Sequence, residues 1–538
     1  MPAPEMAETA GGVPGEMNQG LQLETTLDRQ FGIWSAVALG VMCGCAWPLF
    51  GGTIVISLYN GGPPGVLYEL IAISVLYLAV SASIAELASA IPSSAGVYHW
   101  AGIMGGPKYG KILGFVAGWY NCWAWIFSTI ATSSISAVQL VSMYALFHYD
   151  YVFQRWHVLI AYYICSWISA ALVVFCHHQL PHLNHIGLFW IVAGVFISVV
   201  VCAVMPATKG QAYTSSSTVW VDWQNDTGYS NNGFVFVLGM LNGAFALGVP
   251  DCVSHISEEI SNPSRMVPQA IFAQVVIGSL STLIYLITIF YATPNLSVET
   301  ASTSFFPIAE LYHQATGSKA ATLGLQILIF LPSFWAIMGT YVTSGRTLWT
   351  LGRDNAAPFS AWLAQISPSQ HSPMNATLAV VAINACIGLV YLGSTTAFSA
   401  FAGSVVCLVS ISYLIAIAPH LLSGRKRVPA GWFFIKGWFG IGVHMVTCLY
   451  IIVFVVIFCF PYSMPVTALN MNYTSVVIGG ISVAIVLLWY WKQRQSHGQT
   501  LVISGAGIDQ IMESLHGENA HEGRGASENP KKGDLVRA

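Results

Sequence analysis

Glu69, Glu86, Asp251 and His255 interrupt long apolar runs, and Glu258 and Glu259 follow a few residues later. An acid or imidazole in such surroundings is costly to ionise, which suits it to proton exchange, gating or pairing with a cation. Asp251 can accept a proton or face an aqueous path. His255, Glu258 and Glu259 can form a salt-bridged gate with Arg265, Arg346 or Arg353, or simply end a solvated helix. Glu86 reads as a structural or gate residue, and Glu69 as a hydrated carboxylate near one interface. Ser333, Thr340 and Thr343 offer oxygens to a sodium-like ion, or can bond their own helix carbonyls. No nucleophile triad, paired catalytic carboxylates, metal-ligand spacing or phosphate-binding glycine loop accompanies these residues, so neither an enzyme, a cofactor nor a resident metal is expected. The eleven cysteines all fall in apolar runs, which argues against a disulfide framework.

The elements that must position this chemistry are membrane helices. Of 538 residues 55% are apolar and only 8% charged, against about 25% charged in soluble chains. Long runs, apolar on all sides, favour helices over barrel strands. At about 20 residues per crossing, twelve spans are expected near 33–59, 65–90, 111–147, 157–176, 184–205, 233–255, 268–292, 321–344, 374–392, 398–418, 440–460 and 473–491. Residues 1–30 and 492–538 read as polar disordered tails, with a weak surface-helix pattern at 501–515. With both termini cytoplasmic, only Arg155, Lys209 and Lys319 of the nineteen basic residues face outward, as the positive-inside rule requires. The sequons at Asn225, Asn295 and Asn472 then fall in outer loops, as candidate glycosylation sites.

Two spans break their own pattern. The first contains "GCAWPLFGG" (44–52) and the sixth "LGMLNGAFALGVPD" (238–251). Pro48 and Pro250 each remove a helix hydrogen bond, and the flanking glycines ease unwinding. Such a break can be a mere kink. Matching breaks five spans apart favour a transporter built from two inverted repeats, with its substrate between half-helices at mid-membrane.

The segments "NGGPPGVLYEL" (60–70), "AELASAIPSSAGVYHWA" (85–101), "GVPDCVSHISEEISNPSRMVPQA" (248–270) and "SGRTLWTLGRDNAAPFSAWL" (344–363) carry a resemblance. Together they resemble the fungal amino acid/choline transporter family of the amino acid–polyamine–organocation superfamily, over about residues 25–490. That resemblance implies an all-α polytopic protein of LeuT-like fold, with a five-plus-five inverted repeat (31–205 and 233–418) and two further helices (440–491). It also implies proton-coupled symport at the plasma membrane. Cys45, Ala46, Trp47, Pro48 and Leu49 match the unwound part of the first helix, where superfamily members bind a substrate carboxylate through backbone amides. Gly243, Ala244, Phe245, Ala246 and Gly248 match that of the sixth, with Phe245 near an aromatic gate. Trp47-Pro48-Leu49 departs from the common Gly-Ser-Gly, because Pro48 has no N–H to offer. Span 5 also lacks the lysine that occupies the sodium position in some proton-coupled relatives. Independently of the family, Trp47, Phe245, Phe334 and Trp335 can wall a quaternary ammonium, or can be ordinary packing. The leading reading is a secondary transporter of an amino acid, GABA or choline coupled to protons. The runner-up is export, or transport at a vacuolar or other internal membrane, of a specialised nitrogen metabolite by the same fold.

Overall fold

A computed structural model of the chain describes residues 29–148, 150–295, 306–468 and 470–495. Both expected tails and the 501–515 pattern lie almost wholly or wholly outside the described residues. Apolar length dictates the rest: in hydrocarbon, backbone polar groups must pair within their own segment, so each run closes as a helix.

Twelve helical stretches are long and apolar enough to cross a membrane. Span 1 is split into Ile33–Gly44 and Ala46–Tyr59; spans 2 to 5 are Gly62–Ala90, Val97–Ala145, Arg155–Phe175 and Leu180–Thr208. Span 6 is Asn232–Leu247 followed by a 3-10 segment, Cys252–Glu259. Spans 7 to 12 are Pro263–Ala292, Lys319–Arg353, Met374–Gly388 extended by Val390–Gly393, Thr395–Leu422, Gly437–Ile457 and Thr474–Gln495.

Two features differ from the expected elements. Span 3 starts at Val97 rather than near 111, because a buried first segment precedes a kink at Gly106, whose φ of 66° is left-handed, and Pro107. Lys108 and Lys111 beyond that kink look in sequence like a membrane edge, which hides the helix before them. A further helix, Pro307–Thr316, lies between spans 7 and 8, with Ile308, Leu311, Tyr312 and Ala315 buried along one face.

Each end of the bundle is closed by a backbone tie. Asn60–Gly61 pairs antiparallel with Gln224–Asn225 at one end. At the other, which carries both termini, Phe31 forms a parallel bridge with Ile260, and its N–H donates to the Glu259 carbonyl at 3.1 Å.

Candidate functional site

The break in span 1 is a single residue. Cys45 adopts φ 41°, ψ 41°, and its N–H still bonds the Val41 carbonyl. Helix resumes at Ala46, so the expected unwound stretch through Leu49 is corrected: Ala46, Trp47, Pro48 and Leu49 form the first turn of the second half-helix. There proline costs nothing, since first-turn amides have no intrahelical acceptor and φ is already suitable. The break therefore aims two amides, those of Ala46 and Trp47, rather than a longer cradle.

In span 6 the helix runs through Leu247, so Gly243, Ala244, Phe245 and Ala246 are helical; the irregular backbone is Gly248 to Asp251. Ending at Leu247 frees carbonyls in the last turn of the half-helix, a partially negative end, although that of Leu247 itself accepts from the Val249 N–H at 3.1 Å. Gln274 from span 7 steadies the loop by donating to the Val249 carbonyl at 3.0 Å.

Asp251, at the end of that loop, is a fully buried junction. Its Oδ2 accepts from Asn121 Nδ2 at 2.7 Å and Trp125 Nε1 at 3.3 Å on span 3, and lies 3.1 Å from His255 Nε2. Its Oδ1 accepts from the Tyr413 hydroxyl of span 10 at 2.5 Å. His255 Nδ1 lies 3.1 Å from the Ser94 carbonyl and 3.3 Å from the Thr347 hydroxyl. The Thr347 hydroxyl donates its own proton to the Thr343 carbonyl at 2.8 Å, so Nδ1–H donates to the Ser94 carbonyl, and one further proton fits between Nε2 and the Asp251 carboxylate.

Where the two breaks meet, Cys45, Leu49 and Ala336 form a small buried cluster lined by Ile135 and Phe245. Span 3 brings polar groups to its edge. Gln139 Nε2 donates to Ser333 Oγ at 3.3 Å, and Ser333 in turn lies against the Cys45 thiol. Gln139 Oε1 and the Ser133 and Ser136 hydroxyls are fully buried and have no hydrogen-bond partner among the described residues. Buried polar atoms normally find partners, and of these three the Gln139 oxygen is the one tied to the break, through Ser333. A void of about 10 Å³ sits beside Cys45, Ala46, Leu247 and Gln274, near the lower limit for one water.

The aromatic wall is corrected to Phe245 alone. The Trp47 side chain is fully buried and points elsewhere: its Nε1 donates to the Ile191 carbonyl of span 5 at 3.1 Å, and its ring lies 5.1 Å from Tyr285 of span 7. Phe334 stacks among Phe330 and Trp335, and Trp335 backs onto Gly187 of span 5. Trp47 and Trp335 thus join their helices to span 5, while the ring contacts of Phe334 stay within span 8. Ser333, Thr340 and Thr343 donate to the Ile329, Ile337 and Gly339 carbonyls, so each hydroxyl proton serves its own helix.

Ion pairs cross-tie the terminus-bearing end. Glu259 holds Arg346 through two bonds of 2.5 and 2.9 Å, with both side chains at most 2% exposed. Glu258 meets Arg353 at 3.1 and 3.2 Å, and Arg265 instead covers the Trp432 ring. Asp354, just past span 8, bonds His99 at 2.9 Å and Arg353 at 3.3 Å; burial works to raise its pKa, but these donors hold it below the usual carboxylate value. Glu86 is paired with Arg425, at 2.7 Å on each oxygen, and with His420 at 3.1 Å. Glu86, His420 and His444 bring ligand-type atoms within 4.8 Å of one another. The Arg425 guanidinium already occupies the carboxylate, which leaves a cation poorly placed there.

Glu69 is corrected from hydrated to buried, at 2% exposure, and neither of its oxygens has a hydrogen-bond partner among the described residues. Asn472 is corrected as a glycan acceptor: it is buried, and its amide donates to the Phe458 and Phe460 carbonyls. The Asn225 amide is likewise committed, to Tyr229 and Asn232. Asn295 is exposed, at the edge of the described residues.

Twelve apolar spans, with two broken helices meeting across a polar stripe, define a secondary membrane transporter of LeuT-like fold. A profile of the amino acid permease family matches residues 31–482, and the chain belongs to that family. A choline transporter of Saccharomyces cerevisiae is 29% identical over 475 residues, covering 88% of this chain and 83% of that one. An amino-acid permease of Arabidopsis thaliana is 26% identical, covering 84% and 90%. Among solved structures, a manganese transporter of Eremococcus coleocola matches with a TM-score of 0.53 at 13% identity, covering 85% of this chain and 93% of that one, a likeness of fold.

Proposed function

We propose that the chain is a proton-coupled symporter of small nitrogenous solutes, with amino acids, GABA and choline as candidate cargo. The observation that carries this reading is the meeting of the two breaks, where an apolar cluster adjoins Ser333 and, through it, Gln139, whose Oε1 has no hydrogen-bond partner among the described residues. The positive end of the second half of span 1 and the negative end of the first half of span 6 converge there. A zwitterion fits both ends, its carboxylate on the Ala46 and Trp47 amides and its ammonium on the freed carbonyls. Because Pro48 withholds an amide, the ammonium side is the richer half, and a cation without a carboxylate is also served. Gln139 Oε1 selects for a nitrogen bearing hydrogens, while Phe245 accepts a methylated one. The names of the yeast and plant relatives support the same solute class.

Proton coupling is supported by the buried Asp251–His255 pair, whose 3.1 Å contact has room for one exchangeable proton. The salt-bridged residues Glu258, Glu259 and Glu86 act as the gate and its frame. Basic residues concentrate on the terminus-bearing side, which supports a cytoplasmic face there. The test is uptake of labelled choline, GABA and amino acids into transport-deficient yeast at two external pH values. Uptake that rises with external acidity is expected; sodium-dependent, pH-independent uptake overturns the coupling, and surface-expressed protein that takes up none of them overturns the solute class.

A further inference from the structure

Glu69 lies where the first half of span 6 crosses span 2. Gly239 and Gly243, a G-x-x-x-G pair on span 6, let the two backbones approach closely. A Cβ at Gly239 would fall on the Glu69 carboxyl, and one at Gly243 on Ile73, one turn further along span 2. The carboxyl is thus pressed flat against glycine backbone. No ion pair and no hydrogen bond involves it among the described residues.

The elements packed around span 2 bring it no counter-charge. The half-helix Asn232–Leu247, the Asn60–Gly61 ladder and the short helix Ser216–Trp220 contain no titratable residue, and the second half of span 1 contains only Tyr59 in its last position. Span 7 offers Tyr285, bonded to Tyr312, and Tyr291, bonded to Trp220 and Ser216; its Arg265 is at the opposite end. Span 11 offers Tyr450, packed on Tyr77 two turns deeper, with Cys448 and His444 deeper still, and span 10 offers Cys407, Tyr413, bonded to Asp251, and His420, bonded to Glu86. A carboxylate cannot stay ionised in such a place.

We propose that Glu69 binds a proton, and that only its protonated form lets the first half of span 6 close onto span 2. Ionised Glu69 needs water, and water reaches it only when the Gly239–Gly243 face lifts away. The end of the bundle remote from the termini then closes after a proton has been taken from that side. Its role in coupling rests on the symporter reading above, whereas its protonation does not.

Two experiments separate these claims. Infrared spectra of the purified full chain in liposomes at neutral pH should contain the carbonyl stretch of a protonated carboxylic acid with no hydrogen bond. That band should vanish in Glu69→Gln, persist in Glu310→Gln, and weaken in Gly239→Ala, whose added methyl group prevents closure. A band that is absent, or unchanged by Glu69→Gln, overturns the protonation; if Glu69→Gln does not fold, Gly239→Ala decides. In the same liposomes, accumulation of labelled choline or GABA driven by a pH gradient should fall at least tenfold in Glu69→Gln, with solute exchange retained. Wild-type-like accumulation overturns the closure role. If the wild type moves neither solute, the solute reading fails while the infrared result still decides the protonation.

Discussion

Arg346→Met tests whether the buried Glu259 pair holds one end of the transporter shut. Both partners are almost fully buried, so removing the guanidinium strands a carboxylate whose nearest remaining cationic candidate is His177, 3.9 Å away. Breaking one side of such a pair costs about 3–5 kcal/mol. Opening this end hydrates Glu259 and recovers that cost, so the open form gains relative to the closed one. Taking about 3 kcal/mol, and about 1.4 kcal/mol per decade, the open population rises roughly a hundredfold. The fully buried thiols of Cys45 and Cys252 report it. Their alkylation by a water-soluble maleimide, read by mass spectrometry of the labelled peptides, should accelerate by about two decades, while Cys448 on span 11 keeps its rate and excludes global unfolding. Glu259→Met combined with Arg346→Met should return the rate towards wild type, because apolar replacement of both partners is close to neutral. Unchanged labelling in the single variant, or a double variant as fast as the single, refutes the gate reasoning.

Trp47→Ala should destabilise the protein by about 3–5 kcal/mol through an unfilled cavity; surface abundance falls while the surviving molecules keep their apparent KM, measured by uptake normalised to surface protein. Gln139→Leu removes an unpartnered acceptor and should leave thermal stability near wild type. It should lower substrate affinity about tenfold to a hundredfold, the worth of a charge-assisted hydrogen bond, read by competition uptake. For Asp354, the lowered folded-state value means its stabilising contribution is present above the ordinary carboxylate value of about 4 and is lost as pH falls through the folded value. Asp354→Asn should therefore flatten the acid limb of a thermal-midpoint profile below about pH 4. An equally steep limb would show that His99 and Arg353 do not stabilise the carboxylate.

The helices were legible because membrane spans are written in length and apolarity, both local properties. The breaks were legible for the same reason, through Pro48, Pro250 and their glycines, although the residue that breaks span 1 was not. Cys45 has no turn-forming signature, and Pro48 sits where a helix start tolerates it. The direction of each aromatic was hidden, because spans apolar all round carry no phase: nothing in the sequence tells that Trp47 faces span 5 while Phe245 faces the breaks. Partnerships such as Glu86 with Arg425, 339 residues apart, cannot be read from spacing. The polar stripe of span 3 could have been found. Thr129, Thr132, Ser136 and Gln139 recur every three to four residues, an interior-facing period in an otherwise apolar run.

The parallel bridge between Phe31 and Ile260 bears on how the protein should be handled. It joins the chain leading into span 1 to the exit of span 6, one bond away from Glu259. Whatever pulls on the chain just ahead of Phe31 is thereby passed to the proposed gate. Span 12, which packs at the periphery with most of its surface turned outward, ends instead where Lys492 meets Asn355 and Ser360. Affinity tags, fluorescent reporters and immobilising anchors therefore belong at the C-terminus, where they load the frame and leave the gate free.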